Sequence, residues 1–224
     1  MARFKRLDVY NKIKDVGIVP VFYNKDIETC IKVIDACYKG GAKIFEFTNR
    51  GDFAHKVFSE ISQHVAENYP DLALGAGSIV DGPTTSLYIQ LGADFIVSPV
   101  LKEDMAIICN RRKIPWMPGC GTLTEISTAE ELGAEIVKIF PAGQIGGPSF
   151  IKNIKGPCPW TNIIPTGGVK PTEENLSEWF NAGAFCVGMG SQLFVKKPDN
   201  TYDFNSITEK TKLSIDIYKR IRNQ

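Results

Sequence analysis

The 224-residue chain contains only two histidines, His55 and His64. They lie nine residues apart in a stretch predicted to be helical, away from the ends of the predicted strands. Catalytic zinc and related ions are usually bound by several imidazoles, so the usual three-histidine metal sites are excluded. A Ser-His-Asp hydrolase is equally unsupported. A magnesium site built from carboxylates alone stays open.

The sequence also lacks Cys-X-X-Cys pairs and long apolar runs. Six scattered cysteines indicate reduced thiols rather than a disulfide framework. No segment reaches the roughly 18 apolar residues of a membrane span, and the basic start of the chain leads into no apolar signal core. These features predict a cytoplasmic protein without a membrane partner.

The chain also lacks an excess of either charge, since 26 basic and 25 acidic residues leave a net charge of +1. Such a chain has no overall field that attracts nucleic acid or an anionic membrane. Any anion must therefore bind at a local site, and we expect a small-molecule partner and no nucleic acid.

Eight short apolar runs alternate with longer amphipathic stretches, as buried parallel strands alternate with helices. The chain length allows one well-filled domain and is short for two. The pattern predicts an α/β fold, a single (β/α)8 TIM barrel over residues 1–224, with an extra N-terminal helix over Asp8 to Lys14. An open doubly wound sheet is the alternative, and the strand count argues against it. The runs are 18–22, 44–47, 73–76, 95–97, 116–118, 136–140, 163–165 and 185–187.

Alternation along two of these strands turns charged side chains toward the inside of the barrel. Glu46, and beyond it Arg50, share the inward face of the second strand, whereas Phe45 and Phe47 take the face that meets the helices. Lys138 points inward between apolar neighbours in the sixth strand.

A lysine in such surroundings is costly unless it is paired or used. One interpretation is an internal Glu46–Lys138 ion pair that fills the core. We favour a chemical role for Lys138, because buried ion pairs seldom offset their desolvation. Barrel enzymes also keep their reacting groups at the carboxyl ends of strands. A low-dielectric pocket favours the neutral amine, which is the nucleophile that condenses with a ketone.

Glycines follow the last two predicted strands at matching positions. Thr166-Gly167-Gly168 follows strand 7, and Gly190-Ser191 follows strand 8. Loops at these positions bind phosphate in many barrels through backbone N–H groups. Ordinary tight turns would also contain glycine, so each motif alone is weak, but the two together favour a phosphorylated ligand.

Seven motifs in order resemble the KHG/KDPG aldolase family, which comprises 4-hydroxy-2-oxoglutarate aldolase and 2-keto-3-deoxy-6-phosphogluconate aldolase. The resemblance runs from about Gly17 to about Phe194. The motifs are Phe45-Glu46-Phe47-Thr48-Asn49-Arg50, Gly75-Ala76-Gly77-Ser78, Val97-Ser98-Pro99, Pro118-Gly119, Val137-Lys138-Ile139-Phe140-Pro141-Ala142, Pro165-Thr166-Gly167-Gly168-Val169 and Gly190-Ser191.

The resemblance implies a role for each site residue. Lys138 would form a Schiff base with the substrate, with no metal or other cofactor, and Glu46 would be the general acid and base. Arg50 and Ser78 would hold the pyruvate carboxylate. The distal phosphate or hydroxyls would lie against Thr166, Gly167, Gly168 and Ser191, with Phe140 and Pro99 lining the pocket.

The resemblance further implies a class I aldolase that cleaves 2-keto-3-deoxy-6-phosphogluconate to pyruvate and glyceraldehyde 3-phosphate, in a homotrimer. Two departures concern its substrate range: Ser78 stands where the family usually has threonine, and Gly143 where many members have glutamate. Within the family, 4-hydroxy-2-oxoglutarate and the galactonate epimer are alternative substrates.

Two other classes stay open. A sugar-phosphate isomerase or epimerase would share the phosphate loops but has no need for an in-barrel lysine. A non-catalytic phosphosugar-binding protein would bind without turnover, with Glu46 and Lys138 simply paired. Fold alone does not separate these classes, because barrels host many functions.

Overall fold

The computed structural model describes residues 2–222, in which nine helices and nine short strands follow one another along the chain. The helices are α1 (Arg6–Val16), α2 (Ile27–Lys39), α3 (Ala54–Asn68), α4 (Gly82–Gln90), α5 (Glu103–Arg112), α6 (Leu123–Glu131), α7 (Gly147–Lys155), α8 (Glu173–Asn181) and α9 (Phe204–Arg222). The strands are β1 (Ile18–Phe22), β2 (Ile44–Thr48), β3 (Ala73–Gly77), β4 (Ile96–Val97), β5 (Trp116–Met117), β6 (Gly119–Cys120), β7 (Val137–Ile139), β8 (Ile163–Pro165) and β9 (Val187–Met189).

Three helices begin directly after a residue whose side chain caps the first turn. Asp26 accepts a hydrogen bond from the backbone N–H of Thr29 at 2.8 Å, and α2 begins at the next residue. Thr122 and Thr172 cap α6 and α8 in the same way. These short oxygen acceptors satisfy backbone donors that the first helical turn leaves without partners. The leading helix α1 is also present and is longer than predicted.

The strands pair in parallel and form a curled α/β fold. One sheet of the described chain has the order β5-β4-β3-β2-β1-β9, and a second has the order β6-β7-β8. Only Pro118 separates β5 from β6, and Thr166 forms a parallel bridge with Gly188 next to β8 and β9.

Two predicted strands differ from the structure by more than one residue at an end. The run Trp116–Pro118 is broken into β5 and β6, because Pro118 has no N–H to donate to a neighbouring strand. The last ladder begins at Val187, not Phe185, and passes through Gly188 to Met189. Strands are predicted from runs of apolar residues. The predicted strand therefore ends before Gly188, although the pairing continues through it.

The buried apolar residues form one cluster that extends from Val9 in α1 to Tyr218 in α9. Gly17, with φ of 69°, turns the chain from α1 into β1. A Cβ atom there would lie 2.1 Å from the ring of Tyr218, so glycine is needed both for the turn and for this packing. Helices α1 and α9 are thereby fixed together at the start of β1.

A buried acidic group anchors the N-terminal segment to the amino ends of β3 and β4. Asp94 is fully buried and accepts hydrogen bonds from the backbone N–H of Arg3 at 2.8 Å and of Leu74 at 3.0 Å. The Arg3 guanidinium forms an ion pair with the same carboxylate at 3.0 Å and also donates to the carbonyl of Leu72. Burial raises the pKa of Asp94, while Arg3 and these N–H donors oppose the rise.

We expect Arg3→Met to lower the free energy of unfolding by about 2–4 kcal/mol at pH 8, because it leaves a buried carboxylate without its counter-charge. The loss should shrink as the pH falls through the raised pKa of Asp94, since the neutral acid needs no cation. Urea unfolding at several pH values measures this dependence. Lys32→Met, which removes the exposed pair with Glu28, is the control and should cost less than about 1 kcal/mol at every pH. A pH-independent loss for Arg3→Met would contradict the assignment.

Candidate active site

A cavity of about 200 Å³ opens where β1, β2, β7, β8 and β9 end. In parallel α/β folds these carboxyl ends are where ligands bind. A larger cavity, of about 610 Å³, lies at the opposite ends of the strands and contains none of the predicted site residues. Six of the ten predicted residues line the smaller cavity: Arg50, Phe140, Thr166, Gly167, Gly168 and Ser191.

The two predicted reacting groups, Glu46 and Lys138, lie beside this lining rather than in it. Glu46 is 1% exposed and Lys138 is 5% exposed. The Lys138 ammonium lies 5.0 Å from the centre of the Phe140 ring, and that ring borders the cavity. The amine therefore lies directly behind Phe140.

Glu46 and Lys138 are close enough to shift each other's pKa, yet no ion pair between them occurs in residues 2–222. The buried Oε1 of Glu46 has no hydrogen-bond partner. The interpretation in which the two residues fill the core as an ion pair is therefore wrong. A buried carboxylate left without partners is expensive, and such groups cluster at functional sites.

Burial dominates the ionisation of both groups. It raises the pKa of the Glu46 carboxyl, and the positive charges of Lys138 and Arg50 only partly oppose the rise. Burial also lowers the pKa of Lys138; Glu46 opposes this, and Arg50 adds to it. Both shifts favour the uncharged forms, so burial opposes charge on an amine and on the carboxyl group next to it.

Gly77, at the end of β3, provides the space that Glu46 occupies. A Cβ atom on Gly77 would lie 1.8 Å from Oε1 of Glu46, so any other residue would displace the carboxyl group. The sequence motif Gly75-Ala76-Gly77-Ser78 points to this segment, but the dependence of Glu46 on Gly77 is a contact between strands that only the structure reveals.

Arg50 extends from the end of β2 into the cavity, and a neighbouring strand orients it. Its Nε donates to the Ser78 hydroxyl over 3.3 Å. Ser78 has φ of 58°, in the left-handed region, so the backbone turns sharply after β3. Ser78 itself lies outside the cavity lining and acts on it through Arg50.

Pro99 also lies outside the cavity lining. Its backbone packs against Gly119, where a Cβ atom would come within 2.3 Å of the Pro99 carbonyl. Gly119 pairs with Lys138 in the register of β6 and β7. Pro99 is therefore one strand away from the lysine, and the structure does not bring it to the cavity.

The glycine-rich ends of β8 and β9 form the opposite wall. Gly167 and Gly168 have φ of 94° and 85°. The loop after β7 holds them through hydrogen bonds from Ala142 N–H to Thr166 O and from Gly143 N–H to Gly167 O. Within residues 2–222 we find no protein acceptor for the backbone N–H groups of Gly168, Ser191 and Gln192. Free N–H donors around a concave surface are an anion-binding arrangement.

Among the other lining residues, Tyr23 and Gln192 are polar and belong to none of the runs and motifs found in the sequence. Tyr23 immediately follows β1, so its position at a carboxyl strand end was a usable signal. Its hydroxyl lies against Gly51, where a Cβ atom would come within 2.7 Å of it. Tyr23 therefore packs beside the turn that carries Arg50.

Within residues 2–222, no group of three or more His, Cys, Asp or Glu side chains is arranged to hold a metal ion. In the same part of the chain, no helix combines the length and apolar character that crossing a membrane requires.

The comparisons with known proteins show that this parallel α/β fold, with its inward lysine and carboxyl group at the strand ends, is a lyase of the aldolase class. The model of the family "KDPG and KHG aldolase" matches residues 9–210, and the chain belongs to this family. A 2-dehydro-3-deoxy-phosphogluconate aldolase from Pseudoalteromonas atlantica is 31% identical over 199 residues, covering 88% of this chain and 89% of that protein.

Two solved structures with ligands in their descriptions are similar to the whole fold. The 2-keto-3-deoxy-6-phosphogluconate aldolase of Zymomonas mobilis with 3-phosphoglycerate has a TM-score of 0.80 and 26% identity, covering 92% of this chain and 94% of that one. The KDPG aldolase from Legionella pneumophila, with pyruvate captured as a covalent carbinolamine, has a TM-score of 0.78 and 26% identity, covering 90% and 95%.

We expect Gly77→Ala to lower kcat/KM of the aldolase reaction about 100-fold, because the added methyl group displaces the Glu46 carboxyl by an ångström or more. The clash involves the end of a side chain, so the variant should keep a cooperative melting transition. Gly156→Ala is the control, since its Cβ would only touch the Asn153 carbonyl at 3.5 Å. Full activity in Gly77→Ala would show that Glu46 does not need its present position.

Proposed function

We propose that the chain is a class I aldolase that cleaves 2-keto-3-deoxy-6-phosphogluconate to pyruvate and glyceraldehyde 3-phosphate through a Schiff base on Lys138. The observation that carries this proposal is the buried Lys138 amine, which has no ion pair with the neighbouring Glu46. Family membership supports it independently. An isomerase or a binding protein has no use for such an amine.

In the first half of the reaction, the neutral Lys138 amine attacks C2 of the substrate and forms a carbinolamine. Loss of water gives an iminium ion, which can accept the electrons of an adjacent bond. Glu46, as its carboxylate, then removes the proton of the C4 hydroxyl. The C3–C4 bond breaks, glyceraldehyde 3-phosphate leaves, and the bonding electrons form an enamine on C3.

In the second half, C3 of the enamine receives a proton from Glu46, which returns to its carboxylate form. Water adds to the resulting iminium and releases pyruvate with the free Lys138 amine. One carboxyl group serves both steps if its pKa lies near the working pH, and burial of Glu46 shifts its pKa in that direction.

The remaining site residues would bind the two ends of the substrate. Arg50 offers a planar fork that matches the C1 carboxylate, and Ser78 holds that fork in position. Phe140 would limit the space around C2. At the far end, the phosphate would accept hydrogen bonds from the wall formed by Thr166, Gly167, Gly168 and Ser191.

A second candidate substrate is 4-hydroxy-2-oxoglutarate, which the same steps would cleave to pyruvate and glyoxylate. The family description, which names both activities, favours it. The common part of the two substrates is the 2-keto acid, which lies at the Lys138 end of the site. The choice between them therefore falls on the glycine-rich wall.

We also propose that residues 1–224 form a single domain in which the two sheets close as a (β/α)8 barrel, with α1 as the extra helix. The one-residue gap at Pro118, the Thr166–Gly188 bridge and the single buried cluster support this closure. A cytoplasmic location agrees with six free cysteines, of which burial raises the pKa of Cys37 and Cys109 to about 12. No cofactor, nucleic acid or membrane is required by the proposed reaction.

The proposed assembly is a homotrimer. Five apolar side chains are at least 38% exposed on the neighbouring units α4, α5 and α6 and the loops before them. An exposed apolar group of this kind is typical of an interface between subunits. The side chains are Val80, Leu87, Val100, Ile107 and Leu123.

Borohydride reduction in the presence of pyruvate should add a stable mass to Lys138, located by peptide mass spectrometry. Lys138→Met should lose the adduct and all turnover, while it keeps the circular dichroism spectrum and a cooperative melting transition. The exposed Lys152→Met is the control and should keep both. Because burial lowers the pKa of Lys138, adduct formation should have its midpoint below the ordinary lysine pKa. A Lys138→Met protein with full turnover would refute the assignment.

Sedimentation equilibrium should give three chain masses for the wild type. Replacing Leu87 and Val100 together by glutamate should give a single chain mass, because each interface would then bury uncompensated charges. Trp160→Glu, which changes a 67% exposed side chain elsewhere, should leave the trimer intact. A wild-type monomer, or a trimer that survives the double substitution, would contradict this assembly.

A further inference from the structure

A short hairpin follows β9, and the proposed reaction assigns it no role. Lys196 pairs with Tyr202 in an antiparallel bridge. The turn between them is closed by hydrogen bonds from Lys197 N–H to Thr201 O at 2.8 Å and from Asn200 N–H to Lys197 O at 2.9 Å. The segment is therefore an ordered element that leads from β9 to α9.

Aromatic packing fixes this hairpin to the carboxyl end of β1. Tyr202 packs edge-on against Phe22 with ring centres 5.4 Å apart, and Phe22 packs against Phe194 at 4.9 Å. Edge-to-face contacts of this kind favour one relative orientation of the rings. Phe22 and its neighbour Tyr23 also line the active-site cavity, so the hairpin lies at its edge.

A second cavity, of about 380 Å³, lies between the hairpin and the active site. It shares five lining residues with the first cavity, so the two are continuous. Two cations, Arg50 and Lys196, line it, and no carboxylate does. The shared residues are Val21, Phe22, Tyr23, Arg50 and Ser191.

The charge of Lys196 is not neutralised within the described chain. None of the ion pairs there includes it. The nearest carboxylate along the hairpin, Asp199, accepts hydrogen bonds from the backbone N–H and the hydroxyl of Thr201, at 2.9 and 2.6 Å. The Lys196 ammonium lies 5.6 Å from the centre of the Tyr202 ring, a cation–π contact that orients it without cancelling its charge.

From this arrangement we infer that Lys196 is a specificity-determining residue that binds the phosphate monoester at the distal end of the substrate, opposite the free N–H groups of Ser191 and Gln192. The inference rests on the proposed function, since it takes the keto acid end to be held by Lys138 and Arg50. Arg50 and Lys196 then divide the two anionic ends of the substrate between them. Lys196 is exposed, and it lines a concave surface that contains no carboxylate.

The test compares two aldehydes in the condensation reaction with pyruvate: glyceraldehyde 3-phosphate and neutral D-glyceraldehyde. Lys196→Met should lower the ratio of their kcat/KM values about three- to ten-fold, the effect of losing one partly exposed charge contact to a phosphate. It should also reduce the loss of activity toward the phosphorylated aldehyde at high salt. Lys196→Arg should retain most of the wild-type ratio, because it keeps the charge.

Lys197→Met is the matched control, since Lys197 has the same charge in the same hairpin but does not line either cavity. Its ratio should equal that of the wild type. Pyruvate trapping on Lys138 in each variant separates the two levels of the proposal. If trapping is intact and the ratio in Lys196→Met is unchanged, or both aldehydes lose equally, the role of Lys196 is overturned and the aldolase assignment stands. If the wild type shows no trapping, both fall together.

Discussion

The chemistry of this protein depends on one constraint: a carboxyl group and an amine are withdrawn from water on the inward faces of β2 and β7 without forming an ion pair. Each group alone would be strongly disfavoured in its charged form. Burial raises the pKa of Glu46 and lowers the pKa of Lys138, so both groups are biased toward their neutral forms. Proton transfer between substrate and protein then needs little reorganisation of charge.

Several features of the fold serve this constraint. Gly77 leaves the space that the Glu46 carboxyl fills. Gly75, two residues earlier in the same strand, leaves room for the ring of Phe95. An apolar filling below the carboxyl group excludes the water that would otherwise stabilise its charge. Burying these two groups lowers the free energy of unfolding. The contiguous apolar core around them offsets this loss.

Much of this organisation could be predicted from the sequence because it depends on local rules. Strand alternation is sufficient to turn Glu46 and Lys138 inward, and oxygen-bearing caps at Asp26, Thr122 and Thr172 fix helix starts. Ordered motifs gave the family, which the family model confirms.

What escaped prediction depends on contacts between segments distant in the chain. To predict the break at Pro118, one must know which neighbouring strand would accept a hydrogen bond at that position. Whether Glu46 and Lys138 pair is decided by distances of a few ångströms across the fold, which no spacing in the sequence encodes. Pro99 belongs to a family motif, yet it packs behind Gly119 rather than on the cavity. The hairpin after β9 reads as a polar loop until the Phe22–Tyr202 contact places it against the site.

The site has two electrostatic environments. One surrounds the buried Glu46 and Lys138, and the other is the cavity mouth lined by Arg50 and Lys196. At the Lys138 end of the site, burial opposes charge on both the proposed nucleophile and the proposed proton carrier. At the cavity mouth, the cations Arg50 and Lys196 line open space, and no carboxylate lines it beside them. In the proposed reaction, bonds would form and break where the dielectric constant is low and each proton transfer has a large effect on energy. In the same proposal the anionic groups of the substrate would bind to cations at the mouth, so substrate preference could change there while the lysine chemistry stays the same.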